Sequence, residues 1–169
     1  MKLLVGDVPR TQSARFPNAF AATMERDSLT YGELEAKTAA LVEALVSAGV
    51  TRGDRVVWQA EVSLEPIPLF FATARIGAMF VPINPKYTPE ESTRIIGHAD
   101  PVIILGDANS GHEKLDQLLA RRLTGSGGFE APQEDDPHVI FYTSGTTGEP
   151  KGCMLSQRTQ RLRAGNKSA

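Results

Sequence analysis

Short apolar runs alternate with amphipathic helical segments along most of this chain, and that alternation limits the fold more than any other feature. Arg55-Val56-Val57-Trp58-Gln59, Met79-Phe80-Val81-Pro82-Ile83, Pro101-Val102-Ile103-Ile104-Leu105 and Val139-Ile140-Phe141-Tyr142 each read as a strand. Between them the apolar spacing changes to that of helices. Thr30-Tyr31-Gly32-Glu33 has capping-box spacing, Leu34, Thr38, Leu41, Val42 and Leu45 follow at helical intervals, and Gly49 stands where a left-handed residue closes a helix. A second helix runs from about Glu65 to Ile76, with Pro66 and Pro68 in its first turn and Gly77 at its end. Thr88 caps a third over Pro89 to Gly97, which puts Glu90 and Glu91 at the positive end of the macrodipole. His112 to Leu123 is a weaker amphipathic helix, and nothing regular is assigned before Thr30. This order predicts an α/β fold with a mostly parallel sheet flanked by helices. Pro82, lacking a backbone donor, predicts an edge or terminal position for its strand.

Composition narrows the function. The chain has 169 residues, enough for one domain with a real core. Its 22% charged and 41% hydrophobic residues exclude a disordered or collagen-like chain. One cysteine, Cys153, excludes a disulfide framework and a cysteine zinc site, and fits a reducing cytosol. The net charge of −2 is uneven. Ser156 to Ala169 carry Arg158, Arg161, Arg163 and Lys167 with no acid, which leaves the rest at −6. An acidic body is a poor nucleic-acid binder. The apolar N-terminal run ends at Asp7, too soon for a signal peptide, and the window Ile67 to Ile83 is broken by Pro68, Arg75 and Pro82. The expectation is a cytoplasmic protein with no membrane span and no nucleic-acid partner. Thr124 to Pro137 reads as a flexible acidic linker, residues 158–169 as a basic, unstructured tail.

The chemistry concentrates at one point. The last strand runs straight into Thr143-Ser144-Gly145-Thr146-Thr147-Gly148-Glu149-Pro150-Lys151-Gly152. Gly145 and Gly148 let the backbone turn its amides toward an anion with no Cβ in the way. Ser144, Thr146 and Thr147 add hydroxyl donors. Lys151 adds a full charge, worth roughly 1 kcal/mol at 4 Å in water and several-fold more at an effective dielectric of ~20. The segment therefore reads as a polyphosphate cradle in which Lys151 outweighs any single hydroxyl. It is not a Walker A loop, which needs G-x-x-x-x-G-K-[ST], because Gly145 has Pro150 five residues on. A Ser/Thr/Gly-rich hairpin without a ligand is the plain alternative.

Other residues give plainer readings. His98, His112 and His138 are far apart with no metal-ligand spacing, and no metal site is assigned. Glu134-Asp135-Asp136 reads as a solvated run, Cys153 as a small core residue, and Trp58, Phe70, Phe71 and Phe80 as core.

The segment Tyr142 to Gly152 resembles the signature phosphate loop of the adenylate-forming (AMP-binding) superfamily. Leu29-Thr30-Tyr31-Gly32-Glu33-Leu34 and Gly49-Val50-Thr51-Arg52-Gly53-Asp54-Arg55-Val56 are similar to the opening helix and first core strand of that family. Ala74-Arg75-Ile76-Gly77-Ala78, Val81-Pro82-Ile83-Asn84-Pro85 and Glu90-Glu91 continue it in order, and Ala74 to Pro85 looks more like the acyl-CoA synthetase branches than the peptide-synthetase ones. The resemblance implies the N-terminal part of the family's large domain over residues 1–157. It implies an ATP-dependent ligase that activates a carboxylic acid, of fatty type, as an acyl-adenylate with Mg²⁺ and passes it to coenzyme A. Thr143, Ser144, Gly145, Thr146, Thr147 and Gly148 would wrap the ATP phosphates, and Lys151 would neutralise the departing pyrophosphate. Family members run several-fold longer, their later motifs have no counterpart here, and Gln157 stands where acyl-CoA synthetases often have histidine. The expectation is therefore a portion inactive by itself. The alternatives are a truncated nucleotide-binding fragment, or a small scaffold or interaction module whose Gly/Thr loop is fortuitous. An incomplete sheet also predicts self-association through exposed edges.

Overall fold

In the computed structural model, alternate residues of strand β3 (Arg55–Gln59) face opposite layers, Val56 and Trp58 one way and Val57 the other. The structure describes residues 4–107, 111–120, 129–143 and 149–165, with side chains through 162. Ahead of β3 stand a 3₁₀ turn (Val5–Asp7), helix α1 (Val8–Arg15), the hairpin β1 (Phe20–Met24) and β2 (Asp27–Thr30), and helix α2 (Tyr31–Ser47). After it come α3 (Pro66–Ile76), β4 (Met79–Ile83), α4 (Pro89–Ala99), β5 (Ile103–Gly106), α5 (Leu115–Ala120), β6 (Pro137–Thr143), β7 (Lys151–Ser156) and α6 (Gln157–Gly165). The main sheet runs β5-β3-β4-β6-β7, parallel except for β7, which returns antiparallel to β6.

Local chemistry sets the element ends. Glu33 N donates to Thr30 Oγ1 at 3.2 Å while Thr30 N donates to Glu33 Oε2 at 2.9 Å, and Thr88 and Glu91 repeat the device at the start of α4. Gly77 closes α3 at φ +73°. One layer of core joins Leu41, Leu45, Leu69, Ile76 and Leu118 to Trp58, Phe80, Leu105 and Val139. On the other face Ile95 and Ala99 of α4 cover Val57, Val81, Ile83 and Ile140. The α3 and α4 crossovers thus lie on opposite faces, as right-handed connections to opposite sides of β3 require. Gly6 meets α3 so closely that a Cβ there would stand 2.6 Å from Arg75 N.

Several expectations are corrected. The strand with Pro82 is not at an edge: β4 lies between β3 and β6. β6 pairs with β4 only at Phe80 and Val139, two residues short of Pro82, so on that side the ladder asks no donor of the proline. α1 and the β1–β2 hairpin precede Thr30, where no element was expected; α1 is polar and buries little besides Pro9. α4 runs two residues past Gly97 and ends at Asp100, which takes φ +47°. Cys153 is exposed on β7 rather than in the core. Trp58 and Phe80 are buried, whereas Phe70 and Phe71 are half-buried at the rim with ring centroids 5.2 Å apart.

The acidic linker and basic tail are also different from expectation where the structure describes them. Asp136 is gripped by Arg52, whose Nε and Nη2 donate to its two oxygens at 2.8 and 2.6 Å. The Arg52 guanidinium holds the Asp136 carboxyl below its ordinary pKa. Asp136 and Glu134 carbonyls accept from the Gln157 and Arg158 amides at 3.1 and 2.8 Å, which satisfies free donors of α6. Gln157 and Gln160, three apart on α6, share its inward face. Residues 124–128 and 166–169 lie outside the described residues.

Candidate functional site

The β6–β7 hairpin carries the site. Its register sets Thr143 opposite Lys151 and Tyr142 opposite Gly152, so the chain leaves the sheet and returns at one place. Thr143 and Lys151 are both exposed there. Ser144, Gly145, Thr146, Thr147 and Gly148 lie outside the described residues. Gly152 is bare for a reason: a Cβ would stand 2.9 Å from Ile140 Cγ2 and 3.4 Å from the Tyr142 ring. The Tyr142 hydroxyl is 2.8 Å from His98 Nδ1, and the two rings meet edge-on at 5.5 Å. Burial pushes the Tyr142 phenol above its ordinary pKa, with the charge of Arg55 pulling the other way.

Two buried polar side chains fix the hairpin's base. His138, fully buried, donates from Nε2 to the Phe70 carbonyl at 2.9 Å and accepts at Nδ1 from Gln160 Nε2 at 2.8 Å. These partners define the neutral Nε2–H tautomer. Burial pushes its pKa down from 6.5 to about 4, against the smaller pull of the same two hydrogen bonds. Gln157, 2% exposed, accepts at Oε1 from Val5 N at 3.1 Å and donates from Nε2 to the Ala74 carbonyl at 2.9 Å. It ties the N-terminal turn, α3 and α6 together. Sequence reading missed both roles, although the i, i+3 spacing of Gln157 and Gln160 marks one helix face.

A cavity of about 360 Å³ opens at the C-terminal ends of β3 and β5, between the loops after β3, β4 and β5. Gln59 Nε2 donates to Ser92 Oγ at 2.9 Å, and His112 Nε2 lies 3.1 Å from Gln59 Oε1, the acceptor of that pair. Open parallel sheets hold ligands at this position, where successive crossovers diverge. Ser92 and Ile96 line the cavity from one flank of α4, while His98 meets Tyr142 from the other. The cavity and the root of the loop are therefore separated by α4. No contiguous stretch predicted this cavity, because its walls come from distant loops. Among the described residues no group of three or more His, Cys, Asp or Glu could hold a metal ion, and no helix is long and apolar enough to cross a membrane.

The comparisons with known proteins agree with this geometry. The family model for AMP-binding enzymes matches residues 9–164. The L-proline–[L-prolyl-carrier protein] ligase of Pseudomonas fluorescens is 31% identical over 85% of this chain and 32% of its own length. A feruloyl-CoA synthase from Amycolatopsis is 29% identical over 90% of this chain and 33% of its own. Among solved structures, the N-terminal subdomain of Klebsiella oxytoca NpsA, in complex with 3-hydroxyanthranilyl-AMSN, superposes with a TM-score of 0.77 at 29% identity. That match covers 92% of this chain and 41% of that one. The chain thus spans about a third of the length of these curated relatives. With a mostly parallel sheet and a family match over most of its length, the chain belongs to the AMP-binding, adenylate-forming enzymes.

Proposed function

We propose that this chain supplies the ATP-phosphate loop of a ligase that activates a carboxylic acid. In the reaction a carboxylate oxygen attacks the α-phosphorus of ATP, the bond to the bridging oxygen breaks, and pyrophosphate leaves behind an acyl-adenylate. A thiol then displaces AMP to give a thioester. Thr143 to Gly148 offer amides and hydroxyls to the β- and γ-phosphates, and Lys151 stabilises charge that grows on the departing pyrophosphate, where fixed donors are most effective. One observation carries the reading: Lys151 stands directly across from Thr143, so the cation is returned to the point where the loop begins. Mg²⁺ would come with ATP and offset phosphate charge; among the described residues no group of three or more His, Cys, Asp or Glu could hold it.

The acceptor thiol is a finer matter. Relatives include a carrier-protein ligase and a CoA synthase. Coenzyme A as acceptor and a fatty acid as substrate rest on the likeness of Ala74 to Pro85 to acyl-CoA synthetases. The exposed thiol of Cys153 fits the reducing cytoplasm.

Ligand-linked melting tests the loop. MgATP at about ten times its Kd adds ~1.4 kcal/mol, which raises Tm by roughly 3–6 °C for a chain of this size. Lys151→Ala removes most of that rise. An equal rise in the variant, or none in the wild type, overturns the assignment.

A further inference from the structure

The hairpin that carries the loop joins the parallel sheet at Phe80 and Val139 and then runs on four residues to Thr143. Tyr142 ties its outer half to α4. Tyr142 immediately precedes Thr143, and its ring lies against Gly152, the residue that follows Lys151. One ring therefore touches both stalks of the loop. The hydroxyl of that ring is held by His98 Nδ1 at 2.8 Å, with the imidazole edge-on to the phenol at 83°. His98 belongs to the last turn of α4, and that turn is itself pinned to β3. Arg55 Nε donates to the Ala99 carbonyl at 2.8 Å, and Arg55 Nη2 donates to the Asp100 carbonyl and, at 3.1 Å, to its carboxylate. A continuous path of directed contacts thus runs from the central strand through Arg55, α4, His98 and Tyr142 to Thr143 and Lys151.

We propose that His98 is a positioning residue for the phosphate loop, acting through the hydroxyl and ring of Tyr142. The proposal rests on the reading that the loop binds ATP phosphates. His98 is exposed and touches no reacting atom; its role is to fix the direction in which the hairpin leaves the sheet. Gly152 completes the seat: a Cβ there would press on Ile140 Cγ2 at 2.9 Å and reach the ring at 3.4 Å.

Two readouts on the whole chain test this. Cys153, the only cysteine, is exposed on β7 beside Gly152, so a nitroxide attached to its thiol reports hairpin motion without further mutation. His98→Ala and Tyr142→Phe should each increase label mobility, lower the unfolding midpoint no more than the loss of one hydrogen bond does, and weaken MgATP binding roughly three- to tenfold, the range of one hydrogen bond. The double variant should be no worse than either single one, and His98→Gln, which keeps a hydrogen-bonding head, should recover most of the loss. Unchanged label mobility in both single variants overturns the proposal. So does a mobile label with MgATP affinity unaltered while Lys151→Ala still weakens it. If Lys151→Ala leaves MgATP binding untouched, the phosphate-loop reading itself fails, and the role of His98 fails with it.

Discussion

Acidification should loosen this protein through one residue, His138. In the folded chain its imidazole is neutral, fully buried, and committed at both nitrogens, donating to Phe70 and accepting from Gln160. Its pKa falls from 6.5 to about 4 on folding. The unfolded chain therefore binds a proton at this site that the folded chain refuses. Stability is unaffected above pH 6.5, is lost progressively as pH falls toward 4, and levels off below that. At about 1.4 kcal/mol per pKa unit the full loss is ~3 kcal/mol, of which ~2 kcal/mol is spent between pH 7.5 and pH 5. The Arg52–Asp136 pair does not confuse the window. The Asp136 carboxyl is depressed from 3.8, so its contribution persists above that value and is lost only at lower pH. Urea unfolding at pH 7.5 and 5 should show the midpoint of the wild type drop by about 1 M, given slopes of roughly 1–3 kcal/mol per molar. His138→Gln should begin less stable and lack most of that drop. Equal drops in both chains refute the reasoning. A proton resonance of the His138 ring that titrates near 6.5 refutes it independently of whether the variant folds.

Further expectations follow from single contacts. Gln157→Ala leaves the buried Val5 amide without its acceptor and should cost about 2 kcal/mol in chemical unfolding, with the N-terminal turn showing the largest gain in hydrogen exchange; protection unchanged at Val5 would count against that tie. Thr38 is fully buried on α2, and its hydroxyl finds no partner among the described residues. Thr38→Val, of similar shape, should stabilise by about 1 kcal/mol, and a loss of stability would show that the hydroxyl is satisfied after all. Among the described residues β7 is an edge strand, with Met154 62% exposed opposite Ile140 and Phe141 48% exposed on the other face, opposite Cys153. The isolated chain should self-associate through this edge at high concentration, and Met154→Lys should shift sedimentation toward monomer; identical sedimentation would place the contact elsewhere.

What the sequence made legible was local. The strands Arg55–Gln59 and Met79–Ile83 have the bounds their apolar runs suggest, and the Thr30 capping box and the Thr88 cap both form, because a cap or a short apolar run is decided by residues within one turn of each other. Strand order was not local. Pro82 argued correctly that one backbone donor is missing, but whether a neighbouring strand needs that donor depends on where β6 stops pairing, some sixty residues away. Cys153 failed for a similar reason: alternation names two faces of a strand, and only the sheet order shows that β7 has no strand beyond it among the described residues. At the site, Thr143 and Lys151 could be chosen from residue chemistry, whereas His98 could not. It meets Tyr142 across forty-four residues of chain, and a lone histidine in a polar helical turn carries no mark of its partner.

The charge division has a structural cause that a count of residues conceals. The basic segment does not stream away from an acidic body; α6 folds back onto the acidic stretch before β6, with Arg161 3.1 Å from Glu134 and Arg158 3.7 Å from Asp135. In each pair the arginine is open to solvent, Arg161 at 41% and Arg158 at 58%, so each contributes on the order of 0–1 kcal/mol. The buried amides do more. Gln157 and Gln160 satisfy a backbone amide, a carbonyl and a histidine that would otherwise be buried unpaired, each at a cost of roughly 1–3 kcal/mol. The ion pairs lie along the outside of this contact, and the two glutamines hold its buried side. The same helix closes the base of the hairpin that bears Lys151 at its tip. A segment that looked like a frayed end is thus one of the supports on which the proposed phosphate site stands.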